Sequence, residues 1–195
     1  VKPELAVVGP SVYAKFAGTM KMKVIARIEA SGRGEDTYHV VVRADGPDNL
    51  AGIADGSSVA VVGVSDPQYV YNVMLDRKVK SGALNLSTAR RPVKALRDLN
   101  EGRLKAVIVD QSVKDSLKDL DFAASLRIAY SSKPVPAPAV VVMGSATSDA
   151  AKLGTALEQL CVTEEGKKLC MALSISSIRK ARDADYADLL KRYSR

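Results

Sequence analysis

The sequence predicts an α/β protein of two lobes, each built on a parallel or mixed sheet flanked by helices. Two observations carry that expectation. Short apolar runs bounded by Gly or Pro alternate with helical segments along the whole chain, which is the pattern of βαβ units. A proline-rich stretch, Lys133-Pro-Val-Pro-Ala-Pro138, then supplies an extended return path into another apolar run. Composition agrees. The 195 residues are 47% hydrophobic and 26% charged, with no Trp and only 5% aromatic residues, so the cores must be made of Val, Ala, Leu and Ile. Such residues suit buried strands covered by helices. No run approaches the roughly 18 apolar residues that span a bilayer, so no integral membrane span is expected.

The elements follow in order. Leu5-Ala-Val-Val stops at Gly9-Pro10 and reads as a buried strand entering a turn, with a helix over 11–16. Lys23–Ala30 and Tyr38–Arg43 read as strands separated by the flexible Ser31-Gly-Arg-Gly34. Residues 50–53 form a helical turn and Ser58–Gly63 a strand. Ser65-Asp-Pro67 opens a helix to about Lys78, because a capping side chain with Pro just inside is a strong helix start. Ala89, Val93, Leu96 and Leu99 recur at helical spacing and predict a helix over 88–100, closed by Asn100-Glu-Gly102. Lys105–Asp110 is a strand ending in an acid, 112–117 a short helix and 126–130 a strand. Ala139–Met143 is a strand, and helices are expected over 148–160 with Ser148 as cap, over 163–172, and over 185–193.

Charge and cysteines narrow the function. The 29 Lys and Arg against 22 Asp and Glu give a net charge of +7, yet the basic residues are spread along the chain without interleaved aromatics. With no helix-turn-helix, RNA-recognition or zinc pattern, no nucleic-acid partner is expected. Cys161, Cys170 and the single His39 are too few for a metal site, and no cofactor motif is present. The two cysteines flank a helix end and a new helix start. They are either small apolar packing residues or a disulfide suited to an oxidising compartment.

In open parallel sheets, ligands sit beyond the carboxyl ends of strands. The segments there are Gly9-Pro-Ser-Val-Tyr13, Gly63-Val-Ser-Asp66 and Asp110-Gln-Ser112. Tyr13 either donates its hydroxyl to a ligand or is ordinary packing with a wet tip. Ser65 is a helix cap that could add a ligand contact. Asp110 either accepts hydrogen bonds from a ligand amine or hydroxyl, or caps the helix that follows. A guanidinium of Arg90 or Arg91 could pair bidentately with an anion, or the two could be a solvated helix start. His39 reads as a surface or packed residue.

Gly9-Pro10-x-x-Tyr13 after an apolar strand, the strand Tyr38–Arg43, Asn100-Glu-Gly102 before Ala106-Val-Ile-Val-Asp110, the Pro-Val-Pro connector and the Asp185-Tyr186 ending together resemble the phosphate/phosphonate-type solute-binding proteins of ABC importers. The resemblance covers nearly the whole chain, and the order and spacing of the motifs carry it. It implies a type II periplasmic binding protein fold, with residues 1–41 and 134–195 in a first lobe and 42–133 in a second. Tyr38–Arg43 and Lys133–Met143 would be the crossing strands, and the ligand would lie in an interlobe cleft. Family members begin with a strand-helix-strand-helix segment ahead of the Gly-Pro turn, so the first lobe is expected to lack its N-terminal part.

The resemblance further implies a periplasmic or extracytoplasmic location, a small-molecule ligand, ABC permease subunits as partners, no cofactor and no catalysis. Pro10, Ser11, Tyr13, Ser65, Asp66, Gln68, Tyr69, Arg90 and Asp110 would be the ligand-binding residues. The family places Ser-Thr-Ser-Gly at the second lobe's helix start, where this chain has Ser65-Asp-Pro-Gln-Tyr69. Asp66 repels an anion and Pro67 removes an N–H donor, so the ligand is expected to be phosphonate-like or to bear an amine or hydroxyls. Rival readings are the ligand-sensing domain of a regulator and an enzyme on the same fold. Neither has a supporting catalytic or DNA-binding motif.

Overall fold

The computed structural model describes residues 4–53, 55–143 and 150–195. In chain order the elements begin with β1 (Leu5–Val8), α1 (Pro10–Phe16), β2 (Met22–Glu29), β3 (Glu35–Asp36) and β4 (His39–Arg43). There follow β5 (Ser58–Val62), α2 (Pro67–Tyr69), β6 (Asn85–Ala89), α3 (Pro92–Asn100), β7 (Ala106–Val109) and α4 (Gln111–Asp115). The chain continues through β8 (Leu126–Ser131), β9 (Val135–Pro136), β10 (Ala139–Met143), α5 (Ala150–Leu160), α6 (Glu164–Ala172), β11 (Ser177–Lys180) and α7 (Ala187–Ser194).

These elements form two compact units, one of Val1–Asp36 with Val135–Ser194 and one of Thr37–Pro134. The chain therefore passes between units after Asp36 and after Pro134. The strand expected to cross at Tyr38–Arg43 instead lies wholly in the second unit, as β4. The expected crossover Lys133–Met143 is divided, with β9 and β10 both in the first unit.

The first unit holds a four-stranded sheet of order β1-β10-β2-β11 in which every pair is antiparallel, beside a two-stranded β3-β9 ribbon. On one face Ile25, Ala26, Val140, Val142, Ala150 and Ile178 form a core, with Leu157, Leu160 and Cys161 packed against it. Cys161 and Cys170 are joined by a disulfide with Cα atoms 5.8 Å apart, which ties the end of α5 to α6. A Cβ at Gly166 would lie 1.5 Å from the Leu160 carbonyl oxygen, so this close approach of the two helices admits only glycine there.

The second unit holds a five-stranded sheet of order β6-β5-β7-β4-β8. β5 runs parallel to both β6 and β7, and β4 is antiparallel to β7 and β8. Ala95, Leu96 and Leu99 of α3 lie on Val41, Ala60, Val107 and Val109. Fully burying each leucine is worth about 1.5–3 kcal/mol of transfer free energy.

Three expectations about elements change. The helix expected over 88–100 begins at Pro92, where a proline needs no N–H partner, and Thr88 and Ala89 end strand β6 instead. The helix expected to reach Lys78 is α-helical only over Pro67–Tyr69. It widens to a π-turn over Val70–Met74, in which Val70, Tyr71, Val73 and Met74 are all buried. The parallel pairing expected generally is confined to β5, β6 and β7. The expected cap at Ser148 lies outside the described residues. Among the described residues no helix is long and apolar enough to cross a membrane.

Candidate functional site

The parallel strands of the second unit bring three turns to one sheet edge. Register pairs Val62 with Ala89 and Val61 with Ile108, so β5, β6 and β7 end side by side. Beyond β5, Gly63 takes φ of 71°, a left-handed turn that favours glycine, and its N–H bonds the Ala89 carbonyl. Ser65 and Gln68 are exposed. Asp66, rather than the expected Ser65, is the N-cap of α2: it is the residue directly ahead of Pro67, and its Oδ1 accepts the Gln68 N–H at 3.1 Å.

Beyond β6 come Arg90 and Arg91, both exposed and flanking an open pocket of about 480 Å3 that Ser87, Thr88, Lys94 and Asp98 also line. Lys94 and Arg103 both pair with Asp98, which holds its carboxyl below the usual aspartate range. Arg90 and Arg91 make no ion pair among the described residues.

Beyond β7, Asp110 caps α4. Its Oδ1 accepts the Val113 N–H at 2.9 Å and the Ser112 hydroxyl at 2.7 Å. Ser65, Asp66, Gln68, Arg90 and Asp110 thus lie in segments that follow the carboxyl ends of three adjacent strands of a single sheet.

Tyr69 belongs to that segment but not to its surface. It is 0% exposed, stands edge-on to Tyr38 with ring centroids 6.0 Å apart, and the two hydroxyls share a 3.3 Å hydrogen bond. Tyr69 was expected among the ligand-binding residues, and the helix turns its ring into the core.

Pro10, Ser11 and Tyr13 belong to the first unit. Pro10 opens α1, and Ser11 is half-buried. Tyr13 is 2% exposed, lies 5.0 Å from the Tyr186 ring and donates its hydroxyl to Asp183 Oδ1 at 3.2 Å. Burial, with the Asp183 charge and hydrogen bond beside it, pushes the Tyr13 hydroxyl well above its usual range. Asp183 also accepts the Val24 N–H, so this pair ties α1 to β2 and the C-terminal turn. In the same unit burial works to raise the Glu29 carboxyl, but the Ser177 hydroxyl and the Arg27 guanidinium outweigh it, and the group lies below the usual range.

Sequence reasoning missed one polar group at the second unit's edge. His39 begins β4, opposite both Val109 of β7 and Ser131 of β8, and is only 6% exposed. Its Nδ1 lies 2.8 Å from Ser131 Oγ and its Nε2 2.8 Å from Gln111 Oε1. A lone histidine beside an apolar run carries no local signal of this. Only strand pairing places it next to α4. Among the described residues no three His, Cys, Asp or Glu side chains gather as a metal site.

Comparison with known proteins bears on family and fold. The profile of a family described as "ABC transporter, phosphonate, periplasmic substrate-binding protein" matches residues 2–186. No curated protein matches. Among solved structures, XAC2383 from Xanthomonas citri bound to ATP is similar at 14% identity and a TM-score of 0.79, over 98% of this chain and 76% of that one. A binding protein component of an ABC phosphonate transporter from Pseudomonas aeruginosa is similar at 15% identity and a TM-score of 0.71, over 97% and 67%. PhnD1 from Prochlorococcus marinus in complex with methylphosphonate is similar at 14% identity and a TM-score of 0.69, over 97% and 76%. The chain belongs to this family of periplasmic substrate-binding proteins, serves an ABC importer with a small-molecule ligand and the permease as partners, and has their two-lobed α/β fold.

Proposed function

We propose that the chain binds a small phosphorus oxyanion that also carries an amine or hydroxyl, at the carboxyl edge of the second unit's sheet, and releases it unchanged. The observation that carries this reading is the delivery of Ser65–Gln68, Arg90 and Asp110 to one edge by three hydrogen-bonded parallel strands. Arg90 is the anion's partner, since a guanidinium matches the fork of a phosphonate. Asp66 and Asp110 counter it, because two unit charges ~4 Å apart near a surface repel by about 4 kcal/mol. A ligand amine or hydroxyl donating to Asp110 turns that repulsion into attraction. The methylphosphonate and ATP of the similar structures, both phosphorus oxyanions, support the first half of the reading.

Binding without turnover is supported by the chemistry at the edge. Both nitrogens of the only histidine are engaged, and Asp66 and Asp110 cap helices. Tyr13, whose hydroxyl is held by Asp183, takes no part.

Calorimetric titration with methylphosphonate and 2-aminoethylphosphonate tests the reading. Arg90→Ala is expected to weaken both by at least about tenfold, the worth of one charged hydrogen bond. Asp110→Asn, which still caps α4 because Asn is a good N-cap, is expected to weaken only the amine. Unchanged affinity in both variants would falsify the assignment. Recovery of chemically altered phosphonate after incubation would show an enzyme instead.

A further inference from the structure

His39 joins two places that the sequence keeps far apart. Its ring stands at the first residue of β4, two positions after the chain enters the second unit, and Ser131 is the last residue of β8, shortly before the chain leaves it. Gln111, the other partner, follows Asp110 at the start of α4. The Gln111 amide nitrogen donates to Asp115 Oδ1 at 2.6 Å, so its carbonyl oxygen is the atom that faces His39. Nε2 must therefore carry a proton, and Nδ1 accepts from the Ser131 hydroxyl in the neutral ring. Gln111 is held at both ends of its amide. The backbone of Asp110–Val113 is held in turn by the Asp110 carboxylate.

We infer that His39 is a positioning residue for ligand binding: its Nε2–H fixes Gln111 and with it the turn that presents Asp110. This rests on the reading that Asp110 faces the ligand. A ring 6% exposed behind a half-buried glutamine touches no ligand itself, so its effect is transmitted through α4. Such buried polar pairs act as a unit, because breaking one bond leaves the partner unsatisfied.

Two substitutions separate the two ring nitrogens. Glutamine at 39 reaches as far as Nε2 and can still donate to Gln111. Asparagine reaches only as far as Nδ1 and can serve Ser131 alone. His39→Asn is expected to weaken 2-aminoethylphosphonate by roughly five- to tenfold, the value of one hydrogen bond, and His39→Gln to retain most of the affinity. Amide exchange at Val113, followed by NMR without ligand, should accelerate in His39→Asn and not in His39→Gln. Equal losses in both variants, accompanied by equal falls in Tm, would mean that His39 only supports the core and would overturn the inference. So would an unchanged Val113 exchange rate in His39→Asn. If the parent protein binds neither phosphonate, the reading of Asp110 falls, and the Val113 exchange rates alone decide whether His39 positions the turn.

Discussion

The two units solve the same packing problem in different ways. The first is an all-antiparallel sheet whose apolar core is supplemented by specific links: the Cys161–Cys170 disulfide, the Tyr13–Asp183 bond and the buried Glu29 group. The second has no cysteine, and the apolar face of α3 packs on its hydrogen-bonded strands. Antiparallel neighbours send their connections to alternate ends of a sheet. Parallel neighbours send theirs to the same end, which is why the segments carrying Ser65, Arg90 and Asp110 leave the second unit's sheet at one end. Chemistry collects where strand direction is shared.

The largest effect that would sharpen this comparison is Leu99→Ala. Leu99 is 0% exposed between α3 and the sheet, and its truncation should cost about 2–5 kcal/mol. Calorimetry should show the second unit's transition falling while the first unit's stays. A shift of both transitions together would break the contrast between the units.

Next is Cys161→Ser with Cys170→Ser. The cysteines are 9 residues apart, and opening so short a loop should cost about 2–3 kcal/mol. Dithiothreitol should lower the first unit's transition in the parent, leave the second unit's in place, and do nothing further in the double variant.

Asp66→Ala removes the cap of α2 and should cost about 1 kcal/mol in the second unit. Urea unfolding measures it, and Asp66→Asn should recover most of the loss.

The smallest effect concerns acid. The Glu29 carboxyl lies below its ordinary 4.5 in the folded state, so its stabilisation is complete above that value and is lost as pH falls through the lower, folded one. The first unit's Tm should therefore drop between about pH 5 and pH 3, and Glu29→Gln should flatten that limb. A second unit with the same acid limb would remove Glu29 as the cause.

Much of the fold could be read from residues alone because its central strands are continuous apolar runs. Val40–Val42, Val59–Val61, Ala106–Val109 and Ala139–Val142 are almost wholly buried and signal themselves. β6 and β11 were invisible for the opposite reason. Asn85–Ala89 is an edge strand with no fully buried residue, and Ser177–Lys180 buries only Ile178, so neither has a pattern to read. The π-turn after α2 was equally hidden, since a segment buried on every side has no stripe.

The sequence by itself determined the order of the buried strands and main helices, the family resemblance, the helix start just before Pro67 and the proximity of the two cysteines, because each depends on neighbours along the chain. Tertiary structure alone decided strand direction, the inward turn of Tyr13 and Tyr69, and the seat of His39 between Ser131 and Gln111. The seat of His39 depends on partners 72 and 92 residues away and that of Tyr13 on one 170 away, and no local preference encodes which distant segment will lie alongside.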